Sequence, residues 1–289
     1  MFKIVSYRSL LVLSQSIFSG KIFLKVYLFY SINTSIKVID CDVQQQFCSG
    51  ISGLQLAIPK YLFPHPYENA SRLTYYASLF NSIEINSSFY KIPQSTTIAK
   101  WATSVPEHFR FTFKLWKGIT HNKYLNFNKE DVVAFFKSIN SVNERKGCLL
   151  IQLPPGIGKE YTIQLEKLLT SIKEADSAQD WKLAVEFRNK LWYHKDVYDL
   201  LNYYKAAIVI QDIPKSATPL LDHKSDFVYI RFHGPTGNYR ESYSEDFLNE
   251  FATYSKEWIA EGKSVYIYFN NTLGDAFNNL KTLNRLVND

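Results

Sequence analysis

The sequence predicts an α/β fold, a single-domain (βα)8 TIM-type barrel with a short extension at its amino terminus. Eight short apolar segments, rich in β-branched and aromatic residues, alternate with amphipathic helical segments from residue 47 onward. This alternation indicates parallel strands joined by crossover helices, and eight such units match one barrel. The alternative is an open doubly wound sheet. It is less favoured because the chain contains no GxGxxG or GxxxxGK[ST] phosphate-binding motif.

The predicted strands are all short, as expected for a barrel. In chain order they are FCSGIS (47–52), SIEINS (82–87), RFTFKL (110–115), CLLIQL (148–153), KLAVEF (182–187), AAIVIQD (206–212), FVYIRFH (227–233) and SVYIYFN (264–270).

Helical periodicity fills most of the connections between these strands. The helical segments are ENASRLTYYASLF, STTIAKWATSV, NKEDVVAFFKSINSV, TIQLEKLLTSIKEA, HKDVYDLLNYYK, SEDFLNEFATYSKEWIAEG and GDAFNNLKTLNRLV. Ser244 stands where an N-cap is expected, and Gly262 lies just past the end of the same helix. The segment IPKSATPLLDHKSD, after the sixth strand, contains proline and predicts a loop in place of a helix.

Residues 1–46 form a separate extension, and residues 47–289 form the barrel domain. The extension is apolar, but Lys21 and Lys25 interrupt it, so that no uncharged run of about 18 residues could span a membrane. Three interpretations stay open: a mis-assigned upstream start, a disordered or loosely docked extension, and a targeting segment.

Charge and cysteine content exclude several classes of function. The net charge is +6, but no run of like charges forms a basic tail of the kind that binds nucleic acid. Cys41, Cys48 and Cys148 lie in no CxxC or Cys/His metal-binding spacing. We therefore expect reduced thiols in a cytoplasmic protein, with no disulfide framework, no structural zinc and no membrane partner.

Polar side chains gather at the carboxyl ends of the predicted strands, where barrel enzymes carry their active sites. Side chains alternate faces along a strand, so the apolar set must face the helices and the polar set the barrel axis. In LAVEFR, for example, Glu186 and Arg188 share the inward face. Buried charges cost several kcal/mol each unless they are paired. Two interpretations follow, a polar ligand pocket or a structural network of ion pairs.

Five segments give the sequence a specific resemblance: NSIEINSSFYKIP, FKLWKGITH, VEFRNKLWY, YIRFHGPTGNYRESYS and VYIYFNNTLGDA. They resemble the YecE-like family, domain-of-unknown-function family 72, over roughly residues 47–288. The resemblance implies a TIM-type barrel of bacterial origin but no reaction. The family's first strand commonly contains a tryptophan that SGISGLQLAIP lacks. The recurring polar positions of the family correspond here to Glu84, Asn86, Lys114, His121, Glu186, Arg188, Trp192, Asp212, Arg231, His233, Asn270 and Asn271.

The favoured hypothesis is a binding or acid–base enzyme site for a small anionic or sugar-like ligand. Candidate catalytic groups are Glu186, His233, Glu84 and Asp212. The candidate ligand-binding residues are Lys114, Arg188, Arg231, Asn86, His121, Trp192, Tyr239, Asn270 and Asn271, with Trp116, Trp192 and Tyr239 as walls. Glu186, Arg188, Arg231 and His233 are expected to form one cluster, in which Arg188 and Arg231 hold an anion between them.

Three alternatives remain open. Glu186, Asp212 and His233 could hold Mn²⁺ or Mg²⁺ in a sugar isomerase-like site, although Arg188 and Arg231 would lie near the cation. The barrel could bind nucleic acid, by fold-level analogy with endonuclease IV. It could also be a non-catalytic scaffold that binds an anion. No cofactor is predicted, a divalent metal belongs only to the first alternative, and the oligomeric state is not predicted.

Overall fold

The computed structural model describes residues 10–18, 21–29, 46–219 and 224–289. The chain divides into two units, Met1–Cys41 and Asp42–Asp289. In the first unit, strands β1 (Leu10–Phe18) and β2 (Lys21–Phe29) pair antiparallel. These two strands were not predicted from the sequence. The three interpretations of residues 1–46 stay predictions.

The second unit contains eight parallel strands in one nearly closed sheet, so the predicted (βα)8 TIM-type barrel is confirmed. In chain order the strands are β3 (Phe47–Ile51), β4 (Ser82–Ile85), β5 (Arg110–Lys114), β6 (Lys146–Leu153), β7 (Lys182–Phe187), β8 (Ala207–Gln211), β9 (Phe227–Phe232) and β10 (Ser264–Phe269). Each strand pairs with its neighbour in sequence, and β10 pairs with β3. A bridge between Ser52 and Glu84 joins β3 to β4.

Side chains help to close the seam between β3 and β4. Asn81 accepts a hydrogen bond from the Ser49 amide (2.9 Å) and donates one to the Phe47 carbonyl (2.7 Å). The Tyr76 hydroxyl accepts from the Ile51 amide and donates to the Ser82 carbonyl. A side chain at Gly50 would place Cβ 2.2 Å from that same carbonyl oxygen, so the close approach of the two strands requires glycine.

Helices surround the barrel. They are α1 (Arg72–Leu79), α2 (Ser95–Thr103), α3 (Lys117–Thr120), α4 (Lys129–Ile139), α5 (Thr162–Ala175), α6 (Lys195–Tyr203), α7 (Glu245–Ala260) and α8 (Ala276–Asn288). Short 3-10 turns cover Lys60–Leu62, Asn86–Phe89, Lys123–Leu125, Asn140–Arg145, Lys159–Tyr161 and Lys190–Trp192. Ser244 caps α7, and Gly262 has the left-handed φ expected after a helix. Within residues 46–219 and 224–289, no helix combines the length and apolarity needed to cross a membrane.

Two features of the connections bear on the sequence predictions. The short helix α3 was not predicted. The segment after β8 contains no helix over residues 212–219 and 224–226, as expected, and its residues 220–223 lie outside the described part of the chain.

The barrel has two apolar clusters, one on each face of the sheet. The inner cluster contains Cys48, Cys148, Leu150, Ala184, Ala207, Val209, Phe227, Tyr229, Tyr266 and Tyr268. The larger outer cluster contains alternate strand residues such as Val185 and Phe187, packed against the helices. Ala184 is therefore an inward residue, and so is Glu186 two positions later. Cys48 and Cys148 are free and buried, whereas Cys41 lies outside the described residues.

Candidate functional site

Arg231, at the carboxyl end of β9, is the centre of a buried ion-pair network. Its side chain is 0 % exposed. Nε and Nη2 donate to the two oxygens of Glu84 at 3.0 and 2.8 Å. Nη1 donates to Glu186 Oε2 at 2.7 Å and faces His233 Nε2 at 3.2 Å, and Nη2 lies 3.5 Å from Ser52 Oγ. Every N–H group of the guanidinium therefore has a protein acceptor.

Glu84, on β4, is fully buried and receives four donors. Besides the two-pronged pairing with Arg231, Oε1 accepts from Ser52 Oγ at 2.6 Å, and Oε2 accepts from the Tyr229 hydroxyl at 2.5 Å. These four hydrogen bonds compensate the Glu84 carboxylate for the hydration it loses on burial. This arrangement ties the ends of β3, β4 and β9 together inside the barrel.

Glu186 connects the buried network to the mouth. Arg188, just beyond the end of β7, contacts Glu186 Oε1 through Nε and Nη2 at 2.5 Å each, and its side chain is 11 % exposed. Burial alone would raise the pKa of Glu186, but Arg188 and Arg231 hold it well below its usual range. Burial alone would lower the pKa of Arg231, but the charges of Glu186 and Glu84 outweigh it and raise this pKa. Glu186 is therefore ionised at neutral pH.

His233 joins the network as a neutral imidazole of one tautomer. Nε2 faces Arg188 Nη2 at 3.0 Å and Arg231 Nη1 at 3.2 Å, and arginine can only donate, so Nε2 must accept. Nδ1 then carries the proton and donates to Asp212 Oδ1 at 3.2 Å. Burial lowers the pKa of His233. The tautomer is assigned from these partners.

Asp212 is held by a residue that the sequence analysis did not identify. The Tyr243 hydroxyl donates to Asp212 Oδ2 and accepts from the Gly234 amide at 2.6 Å. The other carboxylate oxygen accepts from the His233 amide at 2.8 Å. Burial, together with Asp212, raises the pKa of Tyr243. Tyr243 thus fixes the carboxylate that orients His233.

Lys114, at the end of β5, lies on the rim of this network. Its Nζ is 4.1 Å from the centroid of the Phe89 ring, and it makes no hydrogen bond or ion pair with the described residues. Burial lowers the pKa of Lys114 to about 8, with a further contribution from Arg231. The rim therefore carries a cation that the protein does not neutralise by direct contact.

His121 lies beside Lys114, on the edge of the same Phe89 ring at a centroid distance of 4.8 Å. Its Nε2 lies 3.3 Å from Gln152 Nε2, and its Nδ1 lies 2.8 Å from Thr120 Oγ1. The Gln152 amide nitrogen donates to His121 Nε2, which must therefore be unprotonated. The imidazole proton is then on Nδ1, which donates to Thr120 Oγ1. Burial, followed by the charge of Lys114, lowers the pKa of His121 to about 4.

The remaining predicted residues divide between the rim and the supporting structure. Tyr239, 37 % exposed, faces Arg188 Nη1 at 3.4 Å through its hydroxyl. Trp116 is partly buried, and its indole faces the Tyr90 carbonyl at 3.3 Å. Asn86 donates to the Ser52 carbonyl at 3.3 Å, while its Oδ1 is buried without a partner among the described residues. Asn270 is buried, and its backbone amide donates to the Phe232 carbonyl.

Two predicted ligand-binding residues lie elsewhere. Trp192 is fully buried, stacks on Phe187 with ring centroids 4.8 Å apart and donates to the Ile157 carbonyl. Because Phe187 faces the helices, Trp192 lies outside the barrel and does not wall the mouth. Asn271 is fully buried and donates to the Glu241 carbonyl and to Asn279 Oδ1, so it holds a loop against α8.

Comparison with known proteins identifies the relatives of this chain. The UPF0759 protein YunF of Bacillus subtilis (strain 168) is 26% identical over 257 residues, which cover 78% of this chain and 90% of that protein. The UPF0759 protein YecE of Escherichia coli (strain K12) is 27% identical over 120 residues, or 42% of each chain.

Solved structures share the fold. A DUF72 family protein from Enterococcus faecalis V583 superposes with a TM-score of 0.69 at 23% identity, covering 84% of this chain and 96% of that one. A DUF72 family protein from Thermotoga maritima MSB8 gives a TM-score of 0.64 at 24% identity, covering 84% and 100%. The family model described as "Protein of unknown function DUF72" matches residues 49–289. The chain therefore belongs to the DUF72 family, to which the YecE-like proteins also belong.

Proposed function

We propose that the carboxyl end of the barrel binds a small anionic ligand and acts on it by acid–base chemistry. One observation carries the proposal: two cations at the rim keep unused donors. Lys114 has no direct polar partner among the described residues. Within the part of the chain that the structure describes, Arg188 Nη1 has only the Tyr239 hydroxyl as a partner, at 3.4 Å. Arg188 is among the charges that act on Lys114, and a guanidinium and an ammonium at one mouth suit a carboxylate or phosphate group.

The proposal gives the two arginines different roles. Arg231 is 0 % exposed and its donors are all directed at protein acceptors, so it supports the site and does not contact the ligand. This changes the expectation that both arginines hold the anion. Arg188, at the mouth, contacts the ligand, and Lys114 faces it from the neighbouring part of the rim.

Acid–base chemistry is assigned to Glu186 and His233. Glu186 is kept ionised by its arginine partners, and His233 keeps an unprotonated Nε2 while Asp212 accepts from Nδ1. Both acceptors are occupied by Arg188 in this state. An anion bound to Arg188 competes with them for its donors, so ligand binding frees an acceptor for a proton. Asp212 then stabilises the imidazolium that forms.

The other candidate functions gain less support. Among residues 46–219 and 224–289 no group of three or more His, Cys, Asp or Glu side chains is arranged to hold a metal ion. Glu186 and Asp212, two of the candidate metal ligands, are engaged by arginine and by Tyr243. No contact at the rim favours nucleic acid over a small anion. The cytoplasmic assignment remains a proposal, supported by the free, buried Cys48 and Cys148.

The test is a thermal-shift and calorimetric titration of the full chain with inorganic phosphate and with pyruvate. A ligand at 100 times its Kd should stabilise the protein by about 2.7 kcal/mol. Lys114→Met should abolish this stabilisation. Lys117→Met is the matched control, because Lys117 also lies over an aromatic ring, at 5.6 Å from the Tyr90 centroid, but is exposed. Undiminished binding to Lys114→Met would contradict the proposal.

A further inference from the structure

Lys114 is held at a fixed position on the inward face of β5. Thr112, two residues earlier on the same face, places its hydroxyl 2.7 Å from the Tyr268 hydroxyl inside the barrel. Ser88 Oγ lies 2.7 Å from the Lys114 carbonyl oxygen and 2.6 Å from that of Ile85. The backbone from which the amine extends is therefore fixed by the ends of two strands.

The Lys114 amine has an unusual environment for a lysine. It lies over the Phe89 ring at 4.1 Å, and neither carboxylate of the network contacts it within ion-pair distance. Lysine side chains usually extend to water or to a carboxylate. Here the aromatic face takes the place of the counter-ion, so the nitrogen is both positioned and poorly solvated.

Burial favours the neutral form of Lys114. Loss of hydration is the largest influence on its pKa, followed by the charge of Arg231, while Glu186 and Glu84 act in the opposite direction. With a pKa of about 8, about a tenth of the molecules carry a free amine at pH 7, against fewer than about one in a thousand for an ordinary lysine. A lysine next to other cations in a poorly solvated pocket is a recognised form of activated nucleophile.

We infer that Lys114 forms an imine with the carbonyl carbon of a small α-oxo acid bound at the mouth of the barrel. The inference rests on the proposed function, because Arg188 binds the carboxylate of that ligand. The planar guanidinium matches a carboxylate, and an α-oxo acid carries its carbonyl carbon next to this group. The rim thus provides one group for the anion and another for the carbonyl.

The reaction balances without an external oxidant or reductant. The lone pair of the neutral Nζ adds to the carbonyl carbon, and the carbonyl oxygen takes a proton to give a carbinolamine. Nitrogen loses one proton, the hydroxyl group leaves as water after protonation, and the nitrogen lone pair forms the C=N bond. Amine, oxo acid and one proton therefore give a protonated imine and water. Solvent at the mouth supplies the proton, since the ionised Glu186 has no proton to donate.

Reductive trapping tests the inference. The full chain is incubated with glyoxylate and sodium cyanoborohydride, which converts an imine to a stable carboxymethyl-lysine, and the modified peptides are quantified by mass spectrometry. Lys182 is an internal control: it also faces the barrel interior, is partly buried and lies over an aromatic ring, Phe227, at 5.4 Å. It lines a cavity of about 420 Å³ at the amino-terminal end, so reagent can reach it.

We expect Lys114 to be labelled at least about tenfold faster than Lys182, because burial lowers the pKa of Lys114 and the proposed carboxylate-binding Arg188 lies at the same mouth. Inorganic phosphate should slow labelling at Lys114 only. Lys114→Arg, which keeps the charge but cannot form an imine, should retain stabilisation by phosphate and lose the label. Equal labelling of Lys114 and Lys182, with phosphate still stabilising the protein, would overturn the inference and leave the anion site. If the wild-type chain showed neither preferential labelling of Lys114 nor stabilisation by phosphate, the proposed function would be overturned as well.

Discussion

The Arg231 centre and the Lys114 rim carry charges of the same sign on neighbouring parts of the barrel, but they differ in how those charges are satisfied. Arg231 is surrounded by two carboxylates, a serine and a histidine. Lys114 has an aromatic ring and no direct counter-ion among the described residues. The comparison indicates that a charge satisfied by the protein maintains the site, whereas a charge left without a partner is available to a ligand.

The largest expected effect on stability comes from replacing Arg231, the centre of the buried network. Arg231→Met leaves Glu84 buried without its main partner and removes one of the two arginines that pair with Glu186. This should cost about 3–5 kcal/mol of unfolding free energy in chemical denaturation. Lys114→Met leaves no carboxylate unpaired and should cost far less. If both variants lost similar stability, the distinction between centre and rim would fail.

A smaller effect is expected at the support of Asp212. Tyr243→Phe removes the donor to Asp212 and the acceptor of the Gly234 amide, so we expect a loss of about 1–3 kcal/mol, measured by urea denaturation. Tyr254→Phe is the matched control, because its hydroxyl donates to Glu250 on an exposed surface, and its effect should be clearly smaller. An equal effect would show that Tyr243 contributes no more than a surface tyrosine.

The smallest expected effect concerns proton binding at the rim. The pKa of His121 is about 4, below its usual 6.5. The stability that His121 contributes is therefore fully present above pH 6.5 and is lost as pH falls toward 4, because the unfolded chain binds the proton first. Lys114→Met should raise the pKa of His121 in an NMR titration, because it removes the charge with the largest influence on this imidazole. Lys117→Met should raise it less, since Lys117 is the weaker influence; the reverse order would contradict the placement of Lys114.

Much of the fold followed from alternation in the sequence. All eight segments predicted as barrel strands are strands, because each has an apolar face that packs against the helices. The same alternation placed Glu186, Arg188 and Arg231 on the inward face, where they are in contact. Such periodicity reports which face a side chain occupies, since it arises from the backbone itself.

What alternation does not report is the distance between side chains from different strands. The sequence could not distinguish Arg231, whose donors are occupied, from Arg188, whose Nη1 is largely free, because the difference depends on four separate strands. Trp192 lies in a turn beyond the end of β7, where strand alternation no longer applies. Tyr243 comes from a long loop with no periodic pattern that would mark it.

Anion binding at the rim is tested most directly by observing the Lys114 side chain while an anion is added. In protein labelled with ¹³C at lysine Cε, we expect the Lys114 resonance to shift and saturate as inorganic phosphate is titrated, while the resonance of Lys182 at the other end of the barrel stays in place. A Lys114 resonance that does not move, or one that moves in parallel with that of Lys182, would contradict the claim that the rim of this barrel is an anion-binding site.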